Sequence, residues 1–225
     1  MSEAARATLI VIVTGIFWGL YWIPVRALDG AGAQGAWGTV AIALAGTLFL
    51  SPVAWRARRS LARADRLALA ALFAGGAGFA LYSISFIYGR VAIVTLLFFL
   101  TPVWSTLIAR LVLGQRATAL RIAAIAAGLA GLALMLAAKG DWPIPRALGE
   151  WMGLASGILW AIGSTGIRLR NTLAPLPSAF VFVVGAAVMA LILAPVLAPL
   201  PPVGLRAALI AGGQVCCGGG SLSPR

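Results

Sequence analysis

Apolar stretches of about 20 residues follow one another along most of the chain, and each is long enough to cross a hydrocarbon core of about 30 Å. The run from Leu67 to Leu113 is too long for one crossing, so it predicts two helices joined by a tight turn at Gly89-Arg90. A composition of 62% hydrophobic and 10% charged residues also indicates an all-α, polytopic membrane helix bundle. The predicted spans lie near residues 8–28, 34–55, 67–89, 91–113, 120–138, 149–168 and 178–198, and an eighth begins near 203.

Part of the first span recurs in the sixth. The segment Thr14-Gly15-Ile16-Phe17-Trp18, running to Arg26, returns 142 positions later as Ser156-Gly157-Ile158-Leu159-Trp160, running to Arg168. The chain crosses the membrane an odd number of times between the start of one copy and the start of the next. The second copy is therefore inverted relative to the first, which is typical of inverted-repeat transporters.

The net charge of +12 comes from arginines whose positions along the chain match the predicted topology. Arginines concentrate in the even-numbered connections, which the positive-inside rule places in the cytoplasm together with the N-terminus. This distribution accounts for the charge without a nucleic-acid partner. The arginines concerned are Arg56, Arg58, Arg59, Arg63 and Arg66 in the second connection, Arg110, Arg116 and Arg121 around the fourth, and Arg168 and Arg170 at the sixth.

The ionisable residues argue against an enzyme. The chain has no histidine, and its two cysteines, Cys216 and Cys217, are adjacent and match no metal-ligand spacing. We therefore predict no catalytic residue, no metal site and no cofactor. No span interior holds an acid that would carry a proton or sodium ion. The acids are Glu3, Asp29, Asp65, Asp141 and Glu150, all in tails, connections or span ends.

Aromatic and hydroxyl side chains recur at helical spacing inside the spans. Trp18 lies about 15 Å deep, near mid-membrane, and Trp160 lies at a matching depth. We interpret these side chains as the lining of a cavity for a small amphipathic solute, although the same residue types also pack helices together. The predicted substrate-binding residues are Trp18, Tyr21, Tyr82, Ser85, Thr95, Phe98, Pro102, Ser105, Trp160 and Ser164.

Proline and glycine add two local predictions. Residues 95, 98, 102, 105 and 109 keep to one helix face, on which Pro102 removes a backbone hydrogen bond and frees a carbonyl. Small residues form packing seams on two other spans. These seams comprise Gly149, Gly153, Gly157 and Ala161 on the sixth span, and Ala124, Ala127, Gly128 and Gly131 on the fifth.

Three segments together resemble the drug/metabolite transporter superfamily, specifically its EamA-type members. They are Gly15-Ile16-Phe17-Trp18-Gly19 with Pro24, the run from Ala92 to Arg116, and the restart at Gly149-Glu150. The resemblance implies a ten-span carrier of two inverted five-span repeats, exporting amino acids or other small metabolites across the bacterial inner membrane. It assigns residues 1–140 to the first EamA-like repeat and 149–210 to an incomplete second repeat. About seven to eight of the ten expected spans are then present.

The chain departs from the family pattern in two places. Gln115 stands where the family usually has a glutamate. Residues 211–225 form a Gly-, Ser- and Pro-containing tail that cannot propagate a spanning helix, which predicts a change of reading frame near residue 212 and a truncated product. Two functions stay open. One is a solute exporter, whose partners are the bilayer and a small molecule; the other is a non-transporting fragment or partner subunit that pairs with a second copy as a homodimer.

Overall fold

A computed structural model describes residues 3–30, 32–115, 117–137 and 144–200 of the chain. Within these ranges the chain forms ten α-helices and no strand, which confirms the all-α prediction. The helices are α1 (Glu3–Leu20), α2 (Trp22–Gly30), α3 (Trp37–Arg56), α4 (Arg58–Arg63), α5 (Arg66–Tyr88), α6 (Val91–Phe98), α7 (Thr101–Leu113), α8 (Ala119–Ala137), α9 (Leu148–Arg170) and α10 (Pro175–Leu197).

Among the described residues, four helical segments are long and apolar enough to cross a membrane. They are α3, α5, α10 and the segment Val91–Leu113, which α6 and α7 form together. The predicted division of the long apolar run is confirmed, since α5 ends at Tyr88 and α6 begins at Val91. The predicted eighth span and the tail at 211–225 lie outside the described residues.

Helix α5 is the centre of the bundle, with α9 and α10 as its main neighbours; α10 also packs against α3. Glycines permit these close approaches. A Cβ atom at Gly163 of α9 would lie 2.7 Å from the Cα atom of Gly75 on α5, and one at Gly185 of α10 would overlap the backbone of Phe73. Contacts this short exclude a larger side chain, so glycine sets the spacing between these helices.

The two predicted small-residue seams differ. The seam on α9 is confirmed, because Cβ atoms at Gly149, Gly153 and Gly157 would meet the backbone of the α5–α6 turn, of Val94 and of Phe98. The seam on α8 has no such neighbour among the described residues, since nothing lies within 4 Å of a Cβ atom placed at Gly128 or Gly131.

A half-buried ion pair joins the start of α9 to the turn between α5 and α6. The Arg90 Nε atom donates to the Glu150 Oε1 atom at 2.7 Å, and the Arg146 backbone N–H donates to Oε2, also at 2.7 Å. The Glu150 side chain is fully buried. Sequence reasoning had placed Glu150 only at a span end. Its partners explain its burial, because a charge away from water must be paired and hydrogen-bonded.

Two prolines interrupt the helices that line the interior. Pro24 lacks the N–H that would bond the Leu20 carbonyl, and its ring crowds that carbonyl; the helix accordingly breaks at Tyr21. Pro102 has the same effect on the Phe98 carbonyl, and α6 ends there. The predicted continuous face through residues 95, 98, 102, 105 and 109 is therefore wrong, because the break separates its first two members from the rest.

Candidate functional site

A cavity of about 450 Å³ lies between the broken first helix (α1 and α2), α5, α6 and α9. Its wall is almost entirely aromatic, and none of its lining residues carries a charge. The lining residues are Gly15, Trp18, Gly19, Trp22, Tyr82, Phe86, Thr95, Phe98, Phe99 and Trp160.

Trp18 is the centre of the aromatic wall. Its ring centroid lies 5.5 Å from that of Trp160, at an interplanar angle of 75°, and 5.8 Å from that of Phe79, at 83°. It also lies 6.1 Å from the ring of Tyr82 and 6.4 Å from the ring of Phe98, with which it is nearly parallel. These distances fall in the range of favourable aromatic pairs. The two tryptophans that the internal repeat relates are thus in direct contact.

Helices α5 and α6 supply the opposite wall. The Tyr82 ring lies 4.3 Å from Phe98 and 4.6 Å from Phe86, and all three side chains are buried. Trp160 extends the wall to Phe182 on α10, at 5.9 Å. Trp18, Tyr82, Phe86, Phe98, Phe99 and Trp160 each contact at least one other ring, so this part of the cavity wall is preorganised.

Two threonine hydroxyl groups near the cavity donate hydrogen bonds to backbone carbonyls. Thr95 Oγ1, on the cavity wall, donates to the Val91 carbonyl at 2.7 Å. Thr101 Oγ1 donates to the carbonyl of Phe98 at 2.5 Å and, more weakly, to that of Gly157 at 3.4 Å. Pro102 leaves the Phe98 carbonyl without its helical donor, and the neighbouring Thr101 hydroxyl satisfies this carbonyl instead.

The structure brings half of the predicted substrate-binding residues together. Trp18, Tyr82, Thr95, Phe98 and Trp160 all line the cavity.

The other five predicted residues lie elsewhere. Ser85 and Ser164 donate to carbonyls of their own helices, those of Tyr82 at 2.5 Å and Ala161 at 3.3 Å. Pro102 lines a separate groove against α8, and Ser105, one turn further along α7, donates to the Pro102 carbonyl at 3.1 Å. The fifth, Tyr21, lies against Phe79 with the ring centroids 5.2 Å apart.

Sequence reasoning missed three large side chains of the wall, Trp22, Phe86 and Phe99. For two of them the sequence spacing indicated a position on the cavity wall. Trp22 lies four residues after Trp18, and Phe86 four residues after Tyr82. One more step along each helix face would have found them.

A buried hydroxyl chain links three helices beside the cavity. The Tyr21 hydroxyl donates to Ser83 Oγ at 3.2 Å, and Ser83 Oγ lies 2.9 Å from Thr39 Oγ1. Ser83 is fully buried. The chain joins the break between α1 and α2 to α5 and α3, so it fixes the position of the break against the bundle.

Among the described residues, no group of three or more His, Cys, Asp or Glu side chains is placed to hold a metal ion. A model of the EamA-like transporter family matches residues 5–137 of the chain. This range contains nine of the ten residues that line the cavity, all except Trp160. No curated protein and no solved structure matches the chain.

Proposed function

The chain belongs to the EamA-like transporter family, a family of membrane transporters of small solutes, and on that premise we propose that it exports amino acids or related amphipathic metabolites. The proposal makes it a carrier and not an enzyme. Alternating access requires only that two states of the carrier bind the solute differently, so no chemistry at the site is needed.

The aromatic cavity is the observation that carries this proposal. Its volume of about 450 Å³ lies within the usual range of small-molecule sites, which are mostly apolar with a few polar groups. Rings of Trp18, Tyr82, Phe98 and Trp160 offer π-faces to the apolar part of a solute. We propose that these four residues and Thr95 contact the solute, while Tyr21, Ser85 and Ser164 hold the surrounding helices in place.

The proposed repeat organisation draws support from the same contact. Residues 1–140 and 149–210 are proposed as two inverted repeats, and Trp18 and Trp160 are equivalent positions in them. Their rings lie 5.5 Å apart, at a shared site between the two units. A site at the interface of inverted repeats is the arrangement that alternating access uses.

Replacing the paired tryptophans tests the function. W18A and W160A each remove a ring that contacts several others, and we expect at least a tenfold loss in the initial rate of efflux of a radiolabelled aromatic amino acid. W55A is the matched control, since Trp55 lies outside the cavity and is 71% exposed; its rate should stay within twofold of wild type. The amounts of the variants in the membrane fraction should be equal. Wild-type kinetics in both cavity variants would assign these tryptophans to packing.

We propose the inner membrane as the location, with the N-terminus in the cytoplasm. The connection between α3 and α5 carries the largest group of arginines, which favours its retention on the cytoplasmic side. Changing Arg56, Arg58, Arg59 and Arg63 to glutamine should disturb this orientation. Labelling of single cysteines from each side of the membrane measures the outcome, and unchanged labelling would contradict the assignment.

A partner subunit of a carrier is the second candidate. The seam on α8 favours it, because no described residue lies within 4 Å of a Cβ atom at Gly128 or Gly131, which leaves room for a close helix neighbour from a second copy. Co-purification of differently tagged copies, lost in G128I, would support a homodimer. A strictly monomeric protein with full efflux activity would reject it.

A further inference from the structure

Arg26 is an exposed residue that contacts two residues of the cavity wall, Trp22 and Phe86, without lining the cavity itself. It follows Trp22 by one turn of α2. The centre of its guanidinium group is 6.0 Å from the centroid of the Trp22 ring. Its Nε and Nη2 atoms donate to the Phe86 carbonyl oxygen at 3.3 and 3.2 Å. Because Trp22 and Phe86 both line the cavity, these two contacts fix a cation beside the cavity lining.

No carboxylate of the described residues pairs with this cation. Arg90, on the adjoining turn, is neutralised by Glu150 at 2.7 Å. Asp29, one helical turn beyond Arg26, accepts a hydrogen bond from the Gly35 backbone N–H at 2.6 Å and forms no ion pair with Arg26. Two of the five N–H groups of Arg26 bond to Phe86, and within the described part of the chain the other three have no acceptor.

We propose that Arg26 is a specificity-determining residue that binds the carboxylate of the solute, while the apolar body of the solute lies among the aromatic rings. The preferred substrates are then amphipathic carboxylates. This inference rests on the proposed transport function and adds the charge of the solute to it. A guanidinium group suits a carboxylate because its planar, parallel N–H groups match the two carboxylate oxygens. The cavity wall itself carries no charge, so no lining group competes with Arg26 for the anion.

A purely structural role makes a different prediction. The Phe86 carbonyl is one of the last four of α5 and lacks a helical donor, so Arg26 also caps that helix. A cap stabilises the protein and does not distinguish an anionic solute from a neutral one of the same shape. The test must therefore compare two such solutes.

The probes are 3-phenylpropionate and 3-phenylpropionamide, which share the ring and chain and differ in charge. Their dissociation constants are measured by calorimetry on the purified chain in lipid nanodiscs. We expect the wild type to bind the carboxylate at least tenfold more tightly, about 1.4 kcal/mol. In R26Q the two dissociation constants should come within twofold of each other, because the affinity for the carboxylate falls while that for the amide stays the same. R26K keeps the charge but loses the planar fork, and it should retain part of the preference.

R58Q is the matched control. Arg58 also lies over a tryptophan ring, that of Trp55 at 5.0 Å, but neither residue lines the cavity. R58Q should leave both dissociation constants unchanged. Circular dichroism and a single size-exclusion peak establish that each variant is folded. If R26Q does not fold, the test uses R26K alone, which should show a reduced preference for the carboxylate over the amide.

The outcomes separate this inference from the transport proposal. Equal binding of the two probes by the wild type, or full carboxylate preference in R26Q or R26K, overturns the role of Arg26. W18A should weaken both probes by the same factor, because they share the aromatic body. If W18A does so while the Arg26 variants keep the preference, the aromatic site stands and only the carboxylate assignment fails. Failure of the wild type to bind either probe overturns both proposals.

Discussion

Replacing Gly163 by alanine should force α5 and α9 apart. The added Cβ atom would lie 2.7 Å from the Cα and N atoms of Gly75 and 2.9 Å from the Ala71 carbonyl oxygen. Reaching an ordinary contact of 3.4 Å requires a shift of about 0.7 Å, and the opposing atoms are backbone atoms that cannot rotate away. Overpacking of this kind costs about 1–3 kcal/mol. Alanine recovers about 1 kcal/mol of helix propensity, so we expect a net loss of about 0–2 kcal/mol.

A matched alanine variant isolates the packing cost. In G131A, measured on the monomer, the helix-propensity gain is the same, but no described residue lies within 4 Å of the new Cβ atom, so stability should rise by up to about 1 kcal/mol. The difference between the two variants should then equal the overpacking cost, about 1–3 kcal/mol. The stability of each variant is measured as the loss of ellipticity during titration with sodium dodecyl sulfate. A G163A protein as stable as G131A would show that the α5–α9 contact is looser than these distances indicate.

Two further substitutions test the buried polar groups, each measured by the same titration. E150Q should cost about 1–3 kcal/mol, because it removes the charge of a fully buried carboxylate whose partner, Arg90, is 37% exposed, whereas D65N, in a pair whose side chains are 37% and 58% exposed, should cost less than about 1 kcal/mol. Equal losses would contradict the difference in burial. S83A removes the middle member of the buried hydroxyl chain and should cost about 1–2 kcal/mol, while S51A, an exposed hydroxyl, should be neutral. A neutral S83A would mean that the other two hydroxyls pair without it.

Hydropathy and helical periodicity predicted much of this fold because the membrane leaves few alternatives. The turn at Gly89-Arg90 was readable from the length of one apolar run, since no single crossing needs 47 residues. For Trp18 and Trp160 the sequence predicted a matching depth but not the contact between their rings, which the structure shows. Both predictions used only the length of a helix and the thickness of a bilayer.

Hydroxyl residues show where such reasoning ends. Ser85 and Ser164 keep the correct helical spacing, yet each donates to a carbonyl three residues earlier in its own helix. A serine in an apolar environment can satisfy its hydroxyl locally, so its position on a face does not reveal whether it points to a solute. The partner of Glu150 was equally unreadable, because Arg90 lies 60 positions away and only the packing of α9 brings them together.

The two helix breaks lie at the aromatic cavity. Trp18, Gly19 and Trp22 flank the break at Tyr21, while Phe98 and Phe99 stand at the break between α6 and α7, and all five line the cavity. Each break follows from a proline that removes a backbone donor. At the second break the Thr101 hydroxyl satisfies the freed Phe98 carbonyl, so the cavity wall presents aromatic rings without a charged side chain, which would be costly at mid-membrane. On the role proposed for Arg26, a cation beside this uncharged wall would distinguish the two ends of an amphipathic solute and thus orient it.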